Sequence, residues 1–98
     1  MDNILKQLSD NTALLLDVRT KAEWDESHAK GALHWELGTP LLPEINSRQK
    51  NTPIYTYCRS GARSEQAKNI LLNEGFASVT NIGGLVDWIS NGGEVLSE

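Results

Sequence analysis

The chain has 98 residues, room for one domain and not two, so residues 1–98 read as a single domain. A net charge of −4 and a sequence pI of about 5.1 argue against nucleic acid and against an anionic membrane surface as partners. The one cysteine excludes an internal disulfide and a paired-cysteine zinc site, and two histidines make a poor ligand set, so no metal or cofactor is expected.

In chain order, residues 3–9 suit a short helix, with Ile4, Leu5 and Leu8 on one side. The start has no basic stretch leading into an apolar one, and no run approaches the roughly 18 apolar residues of a membrane span. As it stands the chain is expected to be cytoplasmic, or periplasmic if a signal peptide has been removed. The apolar run Ala13 to Val18 fits a strand buried on both faces. Thr20-Lys21-Ala22-Glu23 fits a capping box, so a short helix starts at Thr20. Ser27 to Gly31 reads as loop, and Ala32 to Leu37 as a weakly alternating second strand. Thr39-Pro40 resembles a helix start, leading through Leu41, Leu42 and Ile45. Pro53 to Tyr57 is a β-branched and aromatic strand that runs straight into Cys58. Ala67, Ile70 and Leu71 mark a helix that ends at Gly75. Ser78 to Ile82 is a strand, Gly83-Gly84 a turn, and Leu85 to Ile89 a last helix stopped by Asn91-Gly92-Gly93. Strands alternating with helices predict an α/β domain with a mostly parallel sheet, whose ligands sit at the carboxyl ends of the strands. Cys58 falls at such an end.

The segment Cys58-Arg59-Ser60-Gly61-Ala62-Arg63-Ser64 is where chemistry is expected. A thiol becomes a nucleophile by losing its proton, and a helix N-terminus and nearby arginines stabilise the anion. Successive inward amides form an anion nest, and Gly61 supplies the positive φ the curvature needs. Ser64 is a candidate cap for the following helix. The expected result is a cup with an exposed, readily ionised thiol at its floor, able to hold a thiolate, a persulfide or an oxyanion.

This loop resembles the active-site loop of the rhodanese family. The resemblance covers nearly the whole chain: Leu15-Leu16-Asp17-Val18-Arg19 with Glu23 and His28 matches a first signature, Gly31-Ala32 a second, and Gly83-Gly84-Leu85 with Trp88 the ending. Within the family, the loop and the short length are similar to single-domain members of the phage-shock-protein E kind. Two stretches depart from the family pattern, at Ala29 and at His34-Trp35-Glu36. The resemblance implies a central, mostly parallel sheet of about five strands with helices on both faces. It implies sulfurtransferase activity, moving sulfane sulfur from thiosulfate to a thiophilic acceptor such as cyanide through a Cys58 persulfide. Cys58 is then the nucleophile, the amides of Arg59, Ser60, Gly61, Ala62, Arg63 and Ser64 hold the persulfide, and Arg59 and Arg63 take the sulfonate end. A small anionic donor, a protein or small-thiol acceptor and a monomeric state are the expected partners and assembly.

Asp17, Arg19, Glu23 and His28 are read as structural support. Arg19 is expected to pair with Glu23, Asp17 is a candidate brace for the loop amides, and His28 is expected to bond near a helix end. Trp35 is the tryptophan expected to border the site. Two rival functions are weighed. A cysteine phosphatase needs one residue more than the four between Cys58 and Arg63, and Ser64 stands where its arginine would fall. A relay or binding module with a protein acceptor differs only in what takes the sulfur.

Overall fold

The computed structural model describes residues 2–97. Its elements are α1 (Asp2–Ser9), β1 (Leu14–Asp17), α2 (Lys21–Glu26), β2 (Ser27–Ala29), β3 (Leu33–His34), α3 (Pro43–Asn46), β4 (Ile54–Cys58), α4 (Ala62–Asn73), β5 (Val79–Gly84), α5 (Leu85–Ser90) and β6 (Val95–Ser97). The main sheet is parallel, in the order β3-β1-β4-β5.

Side-chain parity along the two central strands divides the core. Leu14, Leu16 and Val18 lie with Ile54 and Cys58 on one face, covered by Ile45 of α3 and by Ala67 and Leu71 of α4. Leu15 and Tyr57 lie on the other face with Trp88, against Ile4, Leu5 and Leu8 of α1 and Leu85 of α5. Because both faces are covered, β1 is buried throughout and reads as a continuous apolar run.

Several expectations need correction. Among the described residues the main sheet has four strands, against the expected figure of about five. Ser27 to Ala29, read as loop, is strand β2, and it pairs antiparallel with β6 as a separate two-stranded sheet. Neither piece carries a readable alternation at three residues each, so the pairing exists only because the fold brings Ala29 beside Val95. The third helix starts at Pro43 and not at Pro40. Leu42 is held extended before the proline and serves as its cap. Gly83 and Gly84 are the end of β5, where Gly84 pairs with Cys58 after a register shift, and not a turn.

The chain leaves β1 toward β3 on one side, then crosses to β4 on the other. The boundary between β1 and β4 is therefore the switch point of the sheet, where the carboxyl ends of two strands feed connections that diverge. Asp17 and Tyr57 are register partners there, and Cys58 is the next residue on β4.

Candidate active site

Cys58 closes β4 and Ala62 opens α4, so the chain has three residues in which to turn from strand to helix. Gly61 makes the turn in the left-handed region, at φ 104°, and acts as the N-cap of α4. That conformation aims its amide at the sulfur: Gly61 N lies 2.9 Å from Cys58 Sγ. Burial pushes the Cys58 thiol up. The Ser64 hydroxyl and the amides of Ser64, Gly61 and Ser60 more than offset this, and bring it down from 9.0 to about 7. Of the six amides expected to face the sulfur, those of Ser60, Gly61 and Ser64 bond to it. The thiol, expected to be exposed, is 1% exposed, at the floor of the loop.

Ser64 was a candidate cap. The cap is Gly61, and Ser64 is the third residue of α4, fully buried. Its hydroxyl lies 2.6 Å from Asn81 Oδ1, 3.1 Å from Gly61 O and 3.4 Å from Cys58 Sγ. One proton serves these acceptors, and the rotor is free to turn toward sulfur as charge develops there.

Asn81 on β5 bonds to the Cys58 loop, a contact that sequence reasoning missed. Its Nδ2 donates to Gly61 O at 3.0 Å and to Glu65 Oε1 at 3.1 Å, and its Oδ1 accepts from Gly83 N at 2.9 Å as well as from Ser64. It ties the loop, the first turn of α4 and the end of β5 together. Thr56 adds a bond from its hydroxyl to Ser64 O at 3.1 Å. Gly84 lies directly beneath the loop. A Cβ there would come within 3.0 Å of the Arg59 carbonyl carbon and closer still to its oxygen. The available signal for both was a polar residue in a strand followed closely by two glycines.

Around the mouth the pairings differ from those expected. Arg19 pairs with Asp17, with Nη2 to Oδ2 at 2.7 Å and Nε to Oδ1 at 3.0 Å, and not with Glu23. Asp17 accepts the backbone amide of Arg19 and the Tyr57 hydroxyl, at 2.9 and 2.6 Å, so it braces the switch point and not the Cys58 loop. Tyr57 also accepts the Ala29 amide at 2.9 Å. Burial first, then Asp17, push its phenol well above the usual range. Glu23 turns instead to Arg63, whose two terminal nitrogens meet its two carboxylate oxygens at 2.7 and 3.0 Å. That pairing is the largest influence on Glu23, whose carboxyl falls to about 2. The capping box is present as expected, and the same Glu23 completes it. Arg59 and Ser60 are exposed on the outer side of the loop, as is Ala62 on the first turn of α4. Arg59, Arg19, Glu23 and Glu26 line a groove of about 330 Å³ with Leu85, Val86 and Ile89.

His28 bonds the Trp24 carbonyl through Nδ1 at 2.9 Å, at the end of α2, as expected of a structural residue. Trp35, expected at the rim, is 2% exposed. It lies in the same core layer as Cys58, with its indole N–H on Thr39 O.

The structure is thus a parallel α/β fold with an amide-lined cysteine at the switch point of its sheet. The family model for the rhodanese-like domain matches residues 1–91, and the chain belongs to that family. It is 35% identical over 94 residues to a sulfurtransferase of Allochromatium vinosum, covering 93% of this chain and 86% of that protein. It is 35% identical over 78 residues to the thiosulfate sulfurtransferase PspE of Escherichia coli, covering 74% of this chain and 70% of that one. Some curated relatives are much longer, and the chain spans only 25% of one of them. Among solved structures, a thiosulfate sulfurtransferase from Pseudomonas aeruginosa superposes with a TM-score of 0.82 at 30% identity, over 99% of this chain and 19% of that one. No helix among the described residues is long and apolar enough to cross a membrane.

Proposed function

We propose that the chain is a thiosulfate sulfurtransferase in which Cys58 carries the sulfur. The Cys58 thiolate attacks the outer sulfur of thiosulfate. A new S–S bond forms on Cys58, the S–S bond of thiosulfate breaks, and sulfite leaves with the electron pair. A thiophilic acceptor then attacks the outer sulfur of the persulfide and returns the thiolate; with cyanide the product is thiocyanate. A small thiol or a protein thiol meets the same chemical requirement as cyanide. The two half-reactions share one covalent intermediate, which predicts ping-pong kinetics.

The observation that carries this reading is the Gly61 amide at 2.9 Å from Sγ, with the thiol brought to about 7. Such a thiol is about half ionised at neutral pH, and the donors that hold its charge suit the anionic persulfide that replaces it. Arg59, exposed on the loop, is suited to the sulfonate end of the donor. Arg63 is engaged by Glu23, so its part in binding is secondary. Ser64, standing where a phosphatase needs its arginine, weighs against that reaction. The 35% identity to a thiosulfate sulfurtransferase supports thiosulfate as donor.

The test is intact mass after mixing with thiosulfate. A gain of one sulfur atom, removed by cyanide and absent from Cys58→Ser, is expected. An unchanged mass with a reduced, alkylatable Cys58 refutes the reading.

A further inference from the structure

Two arginines flank the sulfur, but their charges are not equally available. Arg63 lies in the first turn of α4, five residues from Cys58, and both ends of its guanidinium are held by Glu23. Arg59 has no partner among the described residues and faces the groove that Glu23 also lines. Glu23 is itself held: Oε1 accepts the Thr20 amide and hydroxyl, each at 3.1 Å, so the carboxylate cannot swing aside without undoing the start of α2.

We propose that Glu23 is a specificity-determining residue of the Cys58 site: by neutralising Arg63 across the switch point, it leaves Arg59 as the one uncompensated guanidinium at the mouth and so limits how strongly anions are drawn to the sulfur. The role has a chemical reason. Donor and first product are both anions in the proposed reaction, and a mouth carrying two free guanidiniums would retain sulfite and obstruct the acceptor. A mouth with one attracts the donor and still releases the product. Glu26 adds a negative charge to the same groove and is left unchanged by the substitutions below. Arg63 registers the sulfur electrostatically: Glu23 is the main cause of its raised pKa, and the Cys58 thiolate is among the others.

The part assigned to Glu23 in donor choice rests on the proposed thiosulfate reaction, but the field at the sulfur can be read without it. The probe is the ratio of Cys58 alkylation rates with iodoacetate, an anion, and iodoacetamide, its neutral counterpart. Glu23→Gln keeps a side chain able to complete the capping box while removing the charge. It is expected to raise the ratio roughly two- to fivefold at low salt, with the gain shrinking as salt screens it. Glu23→Asp keeps the charge and is expected to stay near wild type. Arg63→Gln leaves Glu23 uncompensated and is expected to lower the ratio, and the double variant to return toward wild type. A ratio that is unchanged or lower in Glu23→Gln overturns the proposal. Should that variant not fold, an unchanged ratio in Arg63→Gln overturns it equally. The KM for thiosulfate is expected to fall in Glu23→Gln alongside the ratio. If the ratio rises while wild type takes no sulfur from thiosulfate, Glu23 sets the field as proposed and the donor assignment is the part that fails.

Discussion

The loop amides reach the sulfur only because β5 lets the loop lie against it, and Gly84→Ala tests this. The added methyl would press on the backbone carbonyl of Arg59, which has no flexible end to bend away, so the loop must lift. Overpacking of this kind costs about 1–3 kcal/mol. The chemical effect is larger. If lifting returns the thiol from about 7 to its ordinary 9.0, the thiolate fraction at pH 7 falls from about one half to about 1%. The more basic thiolate is the better nucleophile, and a Brønsted slope near 0.4–0.5 returns about eightfold over that range. Alkylation by iodoacetamide at pH 7 should therefore slow about sixfold, and become faster than wild type above about pH 8. Persulfide formation also needs the amides in place on the transferred sulfur, and a displacement near 1 Å costs roughly a hundredfold. The assay is the pH profile of alkylation beside the rate of sulfur uptake from thiosulfate. A variant with the wild-type profile and uptake would show that the contact beneath the loop does not set the thiol, and the reasoning would fail.

Other outcomes follow from the same contacts. Asn81→Leu removes the tie between Gly61, Ser64 and Gly83; sulfur uptake should fall about tenfold with a stability loss of about 1–2 kcal/mol in urea unfolding, and uptake equal to wild type would show the loop holds without it. Tyr57→Phe deprives buried Asp17 of a donor and Ala29 N of its acceptor, and should cost about 2–3 kcal/mol; a loss under about 0.5 kcal/mol refutes the network. The folded thiol sits at about 7 against 9.0, so the native state releases that proton first. Its contribution, about 3 kcal/mol, is complete above pH 9 and is lost as pH falls through 7. The stability gap between wild type and Cys58→Ser should therefore move in favour of wild type across that interval, and a gap independent of pH contradicts the shift.

Local patterns in the chain were enough to place what depends on neighbours in sequence. The buried run at Leu14 to Asp17, the capping box at Thr20, the strand into Cys58 and the positive φ at Gly61 each rest on a few consecutive residues whose chemistry admits one arrangement. The place of Cys58 was legible for the same reason, since strand, cysteine, glycine and helix follow in direct succession. Pairings between distant segments were not legible. Glu23 stood ready to pair with either Arg19 or Arg63, and local spacing favoured Arg19. Register decides otherwise, because Asp17 lies opposite Tyr57 in the sheet and claims Arg19, leaving Glu23 to reach Arg63 across the switch point. Asn81, Gly84 and the β2–β6 pair belong to the same class. A short-range preference is written in one stretch of chain, whereas a contact across the sheet depends on where two stretches come to rest together, and only the packed structure decides that.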